Sequence, residues 1–154
     1  SLTGPPGRRV CEPEIKNRSM IYRLDTNAFS DLMRKHTKME ERLRSLPSTD
    51  QIVICPIVRG EIRYGIDQLP PGRRRQELDT QAMRLFSAIP CVSIPETAGD
   101  FYATTKLARQ RQGLTLDEND LWIAATARSL TATLVTRDGD FQQIDGLQVA
   151  NWTA

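Results

Sequence analysis

Residues 52–67 read Ile52-Val53-Ile54-Cys55-Pro56-Ile57-Val58-Arg59-Gly60-Glu61-Ile62-Arg63-Tyr64-Gly65-Ile66-Asp67. The first four form a continuous apolar run, the pattern of a strand buried on both faces. Pro56 follows at once. Proline suits the first turn of a helix, where its missing N–H would have had no partner. The stretch from Pro56 through Glu61 to about Asp67 reads as that helix, and Leu69-Pro70-Pro71-Gly72 breaks it. A doubly buried strand feeding a helix is the unit from which parallel sheets are built.

The same alternation extends outward in both directions. Ile21–Leu24 is a short strand, and Phe29, Leu32, Met33, His36, Met39 and Leu43 then recur at helical spacing. Leu78, Ala82, Leu85, Phe86 and Ile89 mark another helix, ended by Pro90, with Val92-Ser93-Ile94 as the next strand. A helix from about Glu96 to Gln112 stops at Gly113, a good residue just past a helix end. Asp117 caps a helix through Leu121, Ile123, Ala124, Ala127 and Leu130. Thr133–Thr136 and Leu147–Val149 are the last strands. The expected fold is therefore an α/β, three-layer α/β/α sandwich with a mostly parallel central sheet. Its ligand crevice should lie at the carboxyl ends of the strands.

Length and composition set the frame. The chain has 154 residues, 39% of them hydrophobic, which is enough for one domain with its own core. Residues 1–19 lack apolar periodicity and read as a flexible leader or an expression remnant; residues 20–154 read as the single folded domain. The net charge is +2, and Arg8, Arg9, Lys16 and Arg18 against Glu12 and Glu14 account for all of it. Overall basicity thus gives no support to a polyanion partner. His36 is the only histidine, which excludes two-histidine acid–base chemistry within one chain and histidine-rich metal cages. Cys11, Cys55 and Cys91 are odd in number and far apart, so neither a disulfide framework nor a zinc ribbon fits. Cys55 and Cys91 lie among apolar residues and are expected as buried free thiols, in keeping with a reducing cytoplasm. No apolar run is long enough to span a membrane.

What remains for chemistry is carboxylate and hydroxyl. Asp25 directly follows the first strand, Asp138 follows Thr133–Thr136 by two residues, Glu61 lies in the helix after the second strand, and Asp120 sits in the first turn of its helix. The expected fold brings these four towards one end of the sheet. Gathered carboxylates repel and raise each other's pKa, and a divalent cation removes that repulsion. Hard oxygen ligands describe Mg²⁺ or Mn²⁺, which can activate water and clamp a phosphoryl group. Local roles compete with this reading. Asp25 can cap a helix, Asp138-Gly139-Asp140 can form a turn, Asp120 can offset a helix dipole, and Glu61 can be a solvated helix residue.

Four blocks in order carry a family resemblance. They are Leu24-Asp25-Thr26-Asn27, Arg59-Gly60-Glu61-Ile62-Arg63-Tyr64-Gly65, Asn119-Asp120-Leu121-Trp122-Ile123-Ala124-Ala125-Thr126-Ala127 and Val135-Thr136-Arg137-Asp138-Gly139-Asp140-Phe141. They resemble the signature blocks of PIN domains, and more closely those of VapC-type ribonuclease toxins of toxin–antitoxin pairs. The resemblance implies a Rossmann-like topology and a cytoplasmic, Mg²⁺- or Mn²⁺-dependent endoribonuclease that blocks translation or growth. Asp25, Glu61, Asp120 and Asp138 would be its catalytic acids. Asp25 and Asp120 would hold the metal, with Glu61 and Asp138 reaching it directly or through water. Thr136 would support the site, and Asp140 competes with Asp138 for the fourth place. An RNA substrate, a cognate antitoxin and a homodimer are implied as partners.

Arg73, Arg74 and Arg75, in a loop or helix start, and Arg137, beside the acids, are candidates for gripping RNA phosphates. Trp122 is expected in the core, and His36 as a partly buried structural residue. Two other readings stand beside the nuclease. Asp25 after a strand also suits an aspartyl-phosphate enzyme, although Asn27 stands where a second aspartate would be expected. A non-catalytic interaction module would keep the acids as a protein-binding patch.

Overall fold

A computed structural model describes residues 19–154. The leader reading of residues 1–18 lies outside this range. The elements, in chain order, are β1 (Ile21–Leu24), α1 (Thr26–Met33), α2 (Thr37–Ser45), β2 (Gln51–Val53), α3 (Pro56–Asp67), α4 (Arg73–Ala88), α5 (Ala98–Arg111), α6 (Glu118–Ser129), β3 (Thr133–Val135), a 3₁₀ turn (Gly139–Gln143) and β4 (Gln148–Ala150). The four strands form one sheet in the order β2-β1-β3-β4, and every pairing is parallel. Among the described residues six helices flank it, in keeping with the alternation of apolar strands and helices.

The core follows from the sequence pattern. Leu24, Ile54, Val58, Ile123, Ala124 and Leu134 are fully withdrawn from water and join one cluster with Phe29 and Phe141. Phe29 of α1 stacks on Phe86 of α4 at 5.0 Å. The central strand also buries Arg23 completely. Its guanidinium meets the Cys55 thiol, and burial pulls its pKa below the ordinary arginine value.

Three local expectations are corrected. The helical spacing from Phe29 to Leu43 spans two helices rather than one. Lys35 takes a left-handed φ of 58°, and the Lys35 N–H turns back to the Leu32 carbonyl, which closes α1. His36 then caps α2, its Nδ1 accepting the Met39 N–H at 3.4 Å, so the lone histidine is structural. The expected strand at Val92-Ser93-Ile94 does not form. Cys91 alone pairs with Ile54, because Pro90 and Pro95 flank the segment and proline cannot donate to a ladder. Cys91, expected to be buried at this edge, is exposed, whereas Cys55 is buried as expected.

Candidate active site

Strand ends and helix starts deliver the acids to one edge. β1 ends at Leu24, and Asp25 caps α1 by accepting the Ala28 N–H at 2.8 Å. The Asp25 N–H donates to the Val135 carbonyl at 3.1 Å, which ties this acid to the end of β3. Thr136 follows β3. Its hydroxyl stands beside the Asp25 carboxylate, where it favours the charged form, and accepts the Asp138 N–H at 3.0 Å, so it lies between two of the acids. Asp138 in turn caps the 3₁₀ turn through the Asp140 N–H at 3.0 Å. The capping roles that competed with a catalytic reading are therefore real, and for Asp25 and Asp138 they are also what holds each carboxylate in place.

Glu61 is in the second turn of α3. It accepts hydrogen bonds from the Thr26 hydroxyl of α1 and, at 3.1 Å, from the Asn119 amide of α6. Asp120, beside Asn119, completes the group. Burial raises its pKa first, and the charges of Asp117, Glu61, Asp138 and Asp25 add to the effect, pushing it up to about 6. Burial also raises Asp25. The Thr136 hydroxyl and Ala28 N–H pull against that rise, Asp138 adds to it, and Arg137 opposes it. Acids distant in sequence thus act on one another across the edge of the sheet. Among the described residues, no three acidic, histidine or cysteine side chains close tightly enough to enclose a metal as they stand.

Asp140 is exposed and meets the group only through its N–H to Asp138. Arg73, Arg74 and Arg75 form the first turn of α4 rather than a loop. Arg75 leans on the Leu69 carbonyl and Asp67, whereas Arg73 and Arg74 are exposed. Arg137 reaches back to Asp31 of α1, Nε to Oδ2 at 3.0 Å. Two clefts of about 560 and 670 Å³ flank α3 and meet at Thr26, Glu61 and Gly65. Arg34 and Arg74 border the first, and the exposed Tyr64 borders the second. Trp122, expected in the core, is half-buried and stacks on Tyr102 at 4.3 Å.

Sequence reasoning missed two residues of this neighbourhood. Asp31 is a buried carboxylate, 2% exposed, that pairs with both Arg137 and Arg34. Its signal was an acid set directly beside the apolar residues Leu32 and Met33. Asn119 holds Glu61, and its signal was its place next to Asp120.

An all-parallel sheet carrying its carboxylates where strands hand over to helices defines the class of protein. The PIN-domain profile matches residues 22–147, and the chain belongs to that family. Its relatives within the family include VapC proteins. Ribonuclease VapC1 of Haemophilus influenzae (strain R2866) is 34% identical over 137 residues, covering 87% of this chain and 99% of that protein. Among solved structures, VapBC-1 from nontypeable Haemophilus influenzae superimposes with a TM-score of 0.78 at 31% identity, covering 88% of this chain and all of the matched one. VapBC2 from Rickettsia felis, bound to a DNA fragment from its promoter, gives a TM-score of 0.79 at 27% identity, covering 86% and 99%.

Proposed function

We propose that this chain is a VapC-type toxin: an endoribonuclease that hydrolyses RNA phosphodiesters with Mg²⁺ or Mn²⁺ and is restrained by a cognate antitoxin. The observation that carries the reading is Asp120, whose carboxyl is pushed up to about 6 by burial and by the carboxylates of Asp117, Glu61, Asp138 and Asp25. A cluster that resists its own ionisation is a donor set suited to a hard divalent cation, which offsets the repulsion. Asp25 and Asp120 would hold the ion, with Glu61 and Asp138 beside them. When bound, it supplies Lewis-acid stabilisation of the charge that develops on the phosphoryl oxygens.

The chain's own residues do the rest. Thr136 fixes Asp25 relative to Asp138, and Thr26 and Asn119 fix the Glu61 carboxylate. Preset ligands avoid reorganisation during the reaction. The clefts that meet at Glu61 give an RNA strand a path past the acids, with Arg74 able to take a phosphate on one side. The VapBC complexes among the structural relatives support an antitoxin partner.

The test is cleavage of total RNA with mapped 5′ and 3′ ends. Wild type should cut with Mg²⁺ or Mn²⁺ and stop cutting when EDTA removes the metal. Asp25→Asn should lose at least about 100-fold in rate while its circular dichroism spectrum is retained. Full metal-dependent cleavage by Asp25→Asn would reject the assignment. A covalent phosphoenzyme without RNA cleavage would favour aspartyl-phosphate chemistry instead.

A further inference from the structure

Far from the acids, two arginines share a small cavity. Arg128 stands in the last turn of α6, just ahead of β3, and Gln143 and Asp145 stand ahead of β4. The cavity therefore opens at the edge where strands begin, opposite the acid edge. It measures about 190 Å³ and is lined by Thr104, Thr105, Arg109, Gln112, Arg128, Gln143 and Asp145, with Ala108 and Ile144 as its apolar part.

Among the described residues the arginines are incompletely partnered. Arg109 of α5 is only 5% exposed; its Nη2 reaches the Thr115 carbonyl at 3.4 Å, and its Nε and Nη1 are buried without a partner. Arg128 donates from Nη1 to the Thr105 hydroxyl at 2.8 Å and lies over the Phe101 ring at 4.8 Å, while its Nε is buried without a partner. Gly146 closes over this guanidinium. It has a φ of +81°, and a Cβ there would come within 2.9 Å of Arg128 Nη2. Among the described residues neither arginine forms an ion pair. Among the described residues Asp145 is the one carboxylate on the rim, and it is exposed.

We propose that this cavity is a binding site for a tetrahedral oxyanion, a phosphate group gripped by Arg109 and Arg128. Arg109 is a buried cation and Arg128 a half-buried one, neither with a counter-charge among the described residues; leaving a buried cation unpaired is costly, and an anion seated between the two offsets that cost. Guanidinium N–H groups form a fork that matches phosphate oxygens, and two forks with hydroxyl and amide donors make the donor-rich lining such a group requires. Two positive charges against the single charge of Asp145 leave the site net attractive to an anion. Because it lies on the opposite edge from the acids, it does not compete with them. It would take either free phosphate or a backbone phosphate of a folded RNA remote from the cleavage point. The site stands independently of the proposed activity.

The experiment follows the Nε–H signals of arginine by ¹⁵N NMR on the full chain, titrated with inorganic phosphate against chloride at matched ionic strength. The Arg109 and Arg128 signals should move saturably with phosphate and stay in place with chloride. Gln143→Glu, which adds a carboxylate to the rim at an exposed position, should weaken binding at least 10-fold. Gln142→Glu, exposed but outside the lining, should leave it unchanged. A second arm adds RNA to the Asp25→Asn protein. Movement of the same signals at lower concentration than with phosphate assigns the site to backbone phosphate, and movement with phosphate alone assigns it to the free anion. Signals that stay still in both arms, shift linearly with ionic strength, or respond equally to the two glutamate variants would overturn the proposal.

Discussion

Asp120 shows how much one carboxyl group carries. Its folded pKa of about 6 lies above the unfolded value of 3.8. A group raised in this way contributes stability that is fully present below pH 3.8 and is lost as pH rises through about 6. Partial exposure limits the effect to roughly 1–2 kcal/mol. Metal-free protein should therefore melt at a lower temperature at pH 7.5 than at pH 4.5. Asp120→Asn should flatten most of that slope and raise the melting temperature at pH 7.5 by a few degrees. Added Mg²⁺ should stabilise wild type at pH 7.5 and leave Asp120→Asn nearly unchanged. Calorimetry across pH checks all three, and an unchanged slope in the variant would show that the repulsion resides elsewhere. The four acids were legible in the sequence, Asp25 and Asp138 just after strands and Glu61 and Asp120 in the early turns of helices. Asp31 and Asn119 were not, because their roles come from contacts 106 and 58 positions away in the chain.

At the level of elements, the Asp31–Arg137 pair joins α1 to the segment after β3 that carries Thr136 and Asp138. Arg137, read from sequence as a candidate phosphate ligand, spends its guanidinium on this buried carboxylate. Removing the charge leaves Arg137 and Arg34 without their shared partner, at a cost of about 1–3 kcal/mol. Asp31→Asn should lower stability by that amount in urea unfolding. It should also raise amide hydrogen exchange at residues 136–141 more than elsewhere; an even rise along the chain would deny the pair its local role. The helices were readable in type because their apolar spacing is strong. Their boundaries were less so. The break at Lys35 leaves the hydrophobic stripe intact, since a left-handed residue redirects the chain without altering which side chains are apolar. The failed strand at Val92-Ser93-Ile94 was signalled by its flanking prolines.

For the whole molecule, the sheet order β2-β1-β3-β4 puts β1 and β3 side by side at the centre, and their ends carry Asp25 and Thr136. No helix among the described residues is long and apolar enough to cross a membrane. The homodimer implied by the family resemblance, and the antitoxin partner proposed above, have a direct check. A homodimer of 17.4 kDa chains should scatter light as a particle of about 35 kDa, and a cognate antitoxin should shift that mass upward in a saturable way. A concentration-independent monomer would reject the expected dimer.

The sequence alone determined the α/β class and the parallel sheet and marked the acids as candidates, because apolar periodicity and residue type are local properties of the chain. Only the tertiary structure decided which acids face one another, that Asp25 and Asp138 cap their turns while facing Asp120, that Arg137 belongs to Asp31, and that Arg109 and Arg128 share a cavity. Those outcomes depend on burial and on through-space electrostatics between residues far apart in the chain, and neither exists until the sheet and helices have packed.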